Sequence, residues 1–148
     1  METNLTPSKG PFISTDCTSG KKCVKLVLVG DTTVGKSSLI TNYEQQTYSD
    51  DYEPTVLDIH KGDKNFRNQT ITLEVHDTSG DPMHEVSRKV SYNQTDCFMI
   101  CVAINNRTSY INIEQWKEEI RANCPDTPII IVGTKKDLRK SEANAITS

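Results

Sequence analysis

Hydrophobic residues form two kinds of pattern along this chain. Continuous apolar runs of strand length, many of them β-branched, occupy residues 24–29, 97–104 and 129–132. Residues 55–61 and 71–75 predict two more strands, with turn residues at 62–65 between them. Apolar residues recur at helical spacing over residues 36–46 and 109–123, which predicts two helices. Strands buried on both faces and separated by helices favour an α/β fold with mostly parallel pairing.

The first 22 residues differ from the rest because they are polar and rich in Ser, Thr, Gly and Pro. This composition predicts a flexible tail over residues 1–22 and one folded domain over residues 23–148. The whole chain has 148 residues, which suits a single domain with a substantial core.

Charge and cysteine content narrow the class of protein. A net charge of −3 argues against an electrostatic nucleic-acid binder. The longest apolar run is about half as long as a membrane-spanning helix requires, so no such helix is expected. The five cysteines are odd in number and contain no CxxC pair, which favours reduced thiols in a cytoplasmic protein.

A phosphate-binding motif follows the first predicted strand. Residues 30–37 read GDTTVGKS and match GxxxxGK[ST], with a strand before the motif and a helix after it. Backbone N–H groups of such a loop point at a phosphate, and the helix N-terminus adds partial positive charge. The lysine reaches the β- and γ-phosphates, and the following hydroxyl can ligate Mg²⁺. The predicted nucleotide contacts of this loop are Gly30, Thr32, Thr33, Val34, Gly35, Lys36, Ser37 and Ser38.

A second motif predicts which base is bound. Residues 134–137 read TKKD and follow the last predicted strand at its carboxyl end, where open α/β sheets bind ligands. The carboxylate of Asp137 can accept hydrogen bonds from the N1–H and 2-amino groups of guanine, a donor pair that adenine lacks. The side chain of Lys135 can lie over the base plane. Thr134, Lys135 and Asp137 therefore predict a guanine site.

Together these motifs resemble the Ras superfamily of small GTPases, and most closely its Rho/Rac branch. The resemblance is carried by GDTTVGKS (30–37), YEPTV (52–56), HDTSG (76–80) and GTKKDLR (133–139). The threonine of TKKD and the following DLR favour the Rho/Rac branch. The resemblance implies a P-loop fold with a mixed, mostly parallel sheet flanked by helices. It also implies GTP and GDP as ligands, Mg²⁺ as cofactor and a switch role in signal transduction, for this branch often at the cytoskeleton.

The resemblance also implies roles for individual residues. Thr55 would ligate Mg²⁺ and contact the γ-phosphate. Asp77 would hold the metal through water, and Ser37 would complete the metal ligands. The Gly80 amide would sense the γ-phosphate, and the ring of Tyr48 would pack against guanine. Effectors would contact switch I, from Tyr52 to Asp58, and switch II, from Thr78 to Tyr92, and exchange factors would promote nucleotide release. The implied catalytic residues are Lys36, Thr55 and Asp81.

Two positions depart from the family pattern. Asp81, followed by Pro82, stands where the family has a glutamine that orients the attacking water. Aspartate is shorter, lacks an amide donor and brings negative charge towards a triphosphate. Thr32 stands where most active relatives have glycine, and its branched side chain should crowd both the glutamine position and an incoming arginine. These departures predict slow hydrolysis, as in Rnd-type Rho proteins; in the alternative, a shifted loop accommodates Asp81 and hydrolysis is ordinary.

The favoured function is a monomeric, cytoplasmic GTP-binding switch that partners can bring to the inner membrane face. A module that binds GTP or partners without useful hydrolysis is the alternative that Asp81 and Thr32 favour. An ATP-using P-loop kinase is disfavoured by TKKD and by the absence of an arginine-rich lid. No nucleic-acid partner and no direct membrane anchor are expected.

The C-terminal end of the chain differs from the family pattern as well. The family continues with a base-contacting loop, a sixth strand and a long last helix, which have no counterpart before residue 148. We therefore expect a C-terminally incomplete domain with an exposed apolar edge at residues 129–132. Weakened nucleotide affinity and a tendency to aggregate would follow.

Overall fold

A five-stranded sheet forms the centre of the computed structural model, which describes residues 22–45 and 54–140. In spatial order its strands are β2 (Leu57–Phe66), β3 (Gln69–Thr78), β1 (Lys22–Val29), β4 (Cys97–Ala103) and β5 (Ile129–Thr134). β1 pairs in parallel with β3 and β4, β4 pairs in parallel with β5, and β2 is antiparallel to β3. The predicted mixed, mostly parallel α/β sheet is confirmed.

Helices cover the two faces of this sheet. They are α1 (Lys36–Gln45), α2 (Glu85–Val90), α3 (Arg107–Ile111) and α4 (Ile113–Asn123), with 3₁₀ segments at Pro82–His84 and Lys136–Lys140. Alternate residues of β1 and β4 point to opposite faces, so the core has two parts. Val27 and Phe98 pack with Trp116 and Ile120 of α4, whereas Leu28 and Cys101 pack with Ile40 of α1. Trp116 is 7% exposed, which confirms its assignment to the core.

The turn between β2 and β3 lies later in the chain than predicted. Residues 62–65 were expected to form the turn, but they belong to β2, where Gly62 pairs with Leu73 and Asp63 with Thr72. The turn is formed by Arg67 and Asn68, with φ of 46° and 61°. Two consecutive residues with positive φ connect twisted antiparallel strands without splaying them. The local turn preference of Gly62 and Asp63 is outweighed by the pairing of all ten residues of β2 with β3.

Two helical features also differ from prediction. The helix expected over residues 109–123 begins earlier, at Arg107, and is interrupted at Asn112. The side chain of Asn106 caps its start by accepting hydrogen bonds from the N–H groups of Thr108 and Ser109. Residues 82–90, for which no helix was predicted, form a 3₁₀ turn followed by α2.

β5 is the edge strand of the described sheet opposite β2. Ile130 and Ile131 are 49% and 52% exposed, as expected for an apolar edge. Cys97, Cys101 and Cys124 are free thiols, but Cys23 takes part in a disulfide bond, so the prediction of reduced thiols is wrong for Cys23. Within the described residues, no helix has the length and apolar character needed to cross a membrane.

Candidate nucleotide-binding site

The phosphate loop connects β1 to α1 at the carboxyl ends of the parallel strands, as predicted. Lys36, 6% exposed, folds back over the loop, and its Nζ donates hydrogen bonds to the carbonyl oxygens of Gly30 and Asp31, both at 2.8 Å. Burial lowers the pKa of Lys36, an effect that the carboxylate of Asp77 only partly opposes. An anion beside Nζ would favour the charged form of the lysine.

Close backbone packing requires glycine at two positions, Gly30 in the phosphate loop and Gly80 just after β3. Gly30 has a φ of 144°, and a Cβ there would lie 2.3 Å from the carbonyl oxygen of Cys101. A Cβ on Gly80 would lie 2.3 Å from the carbonyl oxygen of Gly30 and 2.5 Å from the amide nitrogen of Thr32. No L side chain fits at such distances, so the end of β3 and the phosphate loop meet backbone to backbone.

The remaining loop residues differ in exposure. Val34 is buried and belongs to the core cluster beneath α1, whereas Thr32, Thr33 and Ser38 are exposed. Thr33 adopts a φ of 62°, which is uncommon for a β-branched residue. Thr32, the position at which the sequence departs from the family glycine, is thus solvent-exposed.

Ser37, Thr55 and Asp77, the three predicted metal ligands, lie together. The hydroxyl of Ser37 donates to Oδ2 of Asp77 at 2.5 Å and lies 2.8 Å from the hydroxyl of Thr55. Asp77 is 1% exposed, and its Oδ1 has no hydrogen-bond partner. Burial raises the pKa of Asp77, although the hydrogen bond from Ser37 opposes this. Thr55 and Asp77 lie 18 and 40 positions after Ser37 in the sequence, and the fold brings both into contact with it.

The chemistry of this cluster fits Mg²⁺. Hydroxyl and carboxylate oxygens are hard ligands, and Mg²⁺ in nucleotide sites typically takes only one or two carboxylates together with phosphates and water. A buried carboxylate oxygen without a partner is expensive unless a cation or donor satisfies it. Among the described residues no group of three His, Cys, Asp or Glu side chains forms a metal cluster.

The predicted base-binding motif begins at the carboxyl end of β5, beside the phosphate loop. The hydroxyl of buried Thr134 donates to the carbonyl oxygens of Val34 and, at 3.1 Å, Val102. Lys135 has a φ of 58° and is partly buried, and Asp137 is exposed in the 3₁₀ segment that follows. Tyr48, predicted to contact the base, lies outside the described residues, as do Tyr52 and Glu53 of switch I.

Asp81 has a structural contact that the sequence did not suggest. Its Oδ1 accepts a hydrogen bond from the N–H of Met83 at 2.8 Å, which caps the 3₁₀ turn Pro82–His84. Its own N–H donates to the hydroxyl of Ser79 at 3.1 Å. The carboxylate is therefore engaged with the segment that follows it.

Sequence reasoning missed a polar network behind the phosphate loop. The carboxylate of Asp31 accepts hydrogen bonds from Nδ2 of Asn112 and Nε1 of Trp116, both at 2.8 Å. Arg88, 3% exposed, binds both carboxylate oxygens of Glu119 at 2.9 Å and stacks on the ring of Trp116 at 4.8 Å. The spacing of Asn112 and Trp116, one helical turn apart, was the available signal, but nothing in the sequence placed that turn beside Asp31.

Comparison with known protein families agrees with this arrangement. A family model described as the Ras family matches residues 25–147, which is most of the chain. The match includes the phosphate loop, the Ser37, Thr55 and Asp77 cluster and the TKKD motif. Proteins of this family are small GTP-binding switches that bind GTP and GDP with Mg²⁺. This chain belongs to the Ras family.

Proposed function

We propose that this protein is a Rho/Rac-type GTP-binding switch with slow intrinsic hydrolysis. The observation that carries the proposal is the contact of Ser37, Thr55 and Asp77 beside the buried ammonium group of Lys36. Lys36 could bind a phosphate there, and the oxygen atoms of Ser37, Thr55 and Asp77 could bind a divalent cation. The sequence TKKDLR at residues 134–139 supports assignment to the Rho/Rac branch.

Lys36 would bind the β- and γ-phosphates, and the backbone N–H groups of residues 32–37 would surround the β-phosphate. Ser37, Thr55 and Asp77 would hold Mg²⁺, which neutralises phosphate charge when it is bound. The amide of Gly80 would contact the γ-phosphate, because Gly80 already lies against the phosphate loop. Loss of the γ-phosphate would release the segments containing Thr55 and Gly80, which gives the two states of a switch.

The base would bind at the end of β5. Asp137 would accept hydrogen bonds from guanine, and the side chain of Lys135 would cover the base plane. Thr134 supports this arrangement because its hydroxyl connects the TKKD segment to the backbone of Val34. Tyr48 would contribute a ring at the edge of the base.

Slow hydrolysis is supported by the contacts of Asp81. A residue that orients water needs a side chain directed at the γ-phosphate, but Oδ1 of Asp81 caps the turn that begins at Pro82. Its negative charge also disfavours close approach to a triphosphate. Exposed Thr32 would meet an arginine supplied by an activating protein. Lys36 and Thr55 would still act on the phosphates, so binding would persist while turnover is slow.

A second candidate function is a binding module without useful hydrolysis. The same capping contact of Asp81 favours it, because a side chain committed to the turn contributes nothing to water activation. In that case the protein would present its GTP-bound surface to partners for the lifetime of the nucleotide.

Effector proteins would contact residues 52–58 and 78–92, and exchange factors would act at the same loops. Met83, Val86 and Val90 are 84%, 80% and 72% exposed, and their spacing places them on one side of α2 and the preceding turn. An apolar stripe of this kind is typical of partner-binding surfaces. We further propose a monomer located in the cytoplasm, reaching the inner membrane face through partners, with the switch domain extending over residues 23–148.

Equilibrium binding of GDP and of a non-hydrolysable GTP analogue, each with and without Mg²⁺ and in competition with ATP, tests this proposal. Mg²⁺-dependent binding of both guanine nucleotides, with no competition from ATP, is the expected result. Binding of ATP as tight as GTP would contradict it. Single-turnover hydrolysis then separates the two candidate functions, because only the first predicts measurable turnover.

A further inference from the structure

Helix α4 and the residue before it contact two nucleotide-binding segments at once. On one side, Asn112 and Trp116 donate hydrogen bonds to separate oxygens of the Asp31 carboxylate. On the other side, Trp116 and Glu119 contact Arg88, which comes from α2. No motif places α4 in the nucleotide site, yet its side chains reach both the phosphate loop and switch II.

The contact with Asp31 bears directly on Lys36. The backbone carbonyl of Asp31 accepts a hydrogen bond from Nζ of Lys36 at 2.8 Å, while the side chain of Asp31 is held by α4. The position of the lysine therefore depends on the position of this peptide group. The same two donors keep a negative carboxylate occupied in a loop whose task is to bind an anion.

The contact with Arg88 bears on Gly80. The Nη1 group of Arg88 donates to the carbonyl oxygens of Ser79 at 2.9 Å and Asp81 at 3.3 Å, which lie on either side of Gly80. Any movement of Gly80 towards a γ-phosphate must displace these carbonyl groups. The guanidinium group, and its stacking on Trp116, would move with them.

We propose that Asn112, Trp116 and Arg88 are positioning residues, which hold Lys36 for phosphate binding through Asp31 and couple switch II to α4. This inference rests on the proposed function, since it assigns these residues to a nucleotide switch. If so, the surroundings of α4, like switch I and switch II, differ between the GDP- and GTP-bound states. Trp116, the only tryptophan of the chain, reports that difference by its fluorescence.

The Asp31 contact is tested by two variants that remove the same charge. In Asp31→Asn the oxygen still accepts from Trp116, and a flipped Asn112 amide accepts from the new NH₂ group. Asp31→Ala loses both bonds. We expect Asp31→Ala to bind GDP about tenfold more weakly than Asp31→Asn. Trp116→Phe, which keeps an aromatic ring for Arg88 but lacks the N–H, should weaken GDP binding by a similar factor. Exposed Gln115 on the same helix provides the control variant Gln115→Ala, with unchanged affinity.

The Arg88 contact is tested by the double variant Arg88→Met with Glu119→Gln. It leaves no buried unpaired charge, and Tyr92 can still donate to residue 119. We expect its affinity for GDP to stay within about twofold and its affinity for the GTP analogue to fall about tenfold. Wild-type tryptophan emission should differ between the two nucleotides, and this difference should disappear in the double variant. Thermal unfolding without nucleotide checks that each variant is folded.

Separate outcomes overturn the inference and the function on which it rests. A wild-type chain that binds neither guanine nucleotide in equilibrium dialysis overturns both. A chain that binds both nucleotides but shows the same tryptophan emission in each state overturns the inference alone. Equal affinities of Asp31→Asn and Asp31→Ala for GDP also overturn it. A purely structural role of the contact would lower thermal stability but would give the two variants the same affinity for GDP.

Discussion

Oδ1 of Asp81 accepts a hydrogen bond from the backbone N–H of Met83 at 2.8 Å. This contact uses the carboxylate to start a helical turn at the position from which a family glutamine orients water. Replacement of Asp81 by glutamine should therefore restore a side chain of the right length with an amide donor. We expect single-turnover GTP hydrolysis to rise about 10²-fold when Asp81→Gln is combined with Thr32→Gly, because Thr32 would otherwise crowd the new side chain. This factor is the one associated with correct placement of a reacting group.

Asp81→Asn, also combined with Thr32→Gly, is the matched control for that experiment. Asparagine caps a turn as well as aspartate does but is equally short, so it should leave the hydrolysis rate unchanged. Acceleration by a Rho-type activating protein should appear only when Thr32→Gly is added. Wild-type hydrolysis as fast as that of the double variant Asp81→Gln with Thr32→Gly would contradict the proposed role of this position.

Thr55 should distinguish GTP from GDP. Thr55→Val keeps the shape of the side chain but removes the hydroxyl that lies 2.8 Å from Ser37. We expect it to weaken binding of the GTP analogue with Mg²⁺ by about tenfold and to leave GDP binding unchanged. Thr55→Ser keeps the hydroxyl and should bind both normally, whereas Ser37→Ala should weaken both. If Thr55→Val lowers the affinities for GDP and for the GTP analogue equally, Thr55 does not act through the γ-phosphate.

Asp137 should determine base selectivity. Truncation to alanine removes both hydrogen-bond acceptors for guanine, and two charge-assisted hydrogen bonds correspond to a loss of at least about 10²-fold in GTP affinity. ATP, which offers no matching donors, should bind the variant no more weakly than it binds the wild type. Exposed Lys136 gives the control variant Lys136→Ala, measured in the same nucleotide competition assay. An unchanged preference for GTP over ATP in Asp137→Ala would exclude the assigned role.

The ion pair between Glu119 and Arg88 should make stability depend on pH. Burial alone raises the pKa of Glu119, but hydrogen bonds from Arg88 and Tyr92 outweigh it and place the pKa below the ordinary value of 4.5. The folded state therefore favours the carboxylate, and its stabilising contribution is complete above pH 4.5 and is lost as the pH falls through the lower, folded-state pKa. Glu119→Gln should lower the free energy of unfolding by about 1–3 kcal/mol near neutral pH.

Urea unfolding at a series of pH values measures this contribution. The difference in unfolding free energy between wild type and Glu119→Gln should shrink as the pH falls below 4.5. A difference that stays constant across that range would show that the carboxylate charge does not contribute.

The exposed edge of β5 should control solubility. Ile131 is 52% exposed on this edge strand, and natural sheets commonly block such edges with lysine. We expect Ile131→Lys to slow aggregation, measured by light scattering at equal protein concentration, with a stability change within about 0.5 kcal/mol. Tyr110, also 52% exposed but located on α3, supplies the control Tyr110→Lys. If both substitutions slow aggregation equally, net charge rather than the sheet edge is responsible.

The sequence was most informative where local pattern and chemistry coincide. The strand before Gly30, the phosphate loop and the helix that begins at Lys36 follow one another within the 24 positions from Lys22 to Gln45, and their geometry follows from backbone preferences. By contrast, the place of the turn at Arg67 and Asn68 is fixed by the pairing of all ten residues of β2 with β3. Local turn residues at 62–65 could not reveal that pairing.

Long-range side-chain contacts were the least predictable. Trp116 was correctly assigned to the core from its helical spacing, but its N–H group binds Asp31, 85 positions earlier in the chain. Nothing in the sequence around Arg88 indicated that its side chain would be buried against Glu119, while the apolar neighbours Val86 and Val90 are exposed. Such contacts depend on how α2 and α4 pack on one face of the sheet, and only the folded chain determines that arrangement.

The hydroxyl of Thr134 joins the end of β5 to the backbone of Val34, and this bond fixes the spacing between the base-binding and phosphate-binding segments. A nucleotide that spans that spacing gains from effective concentration, since binding of one end holds the other at its partner groups. Guanosine and pyrophosphate, added as separate molecules, have no such advantage. The affinity for the intact nucleotide should therefore exceed what either fragment, or both together, can achieve.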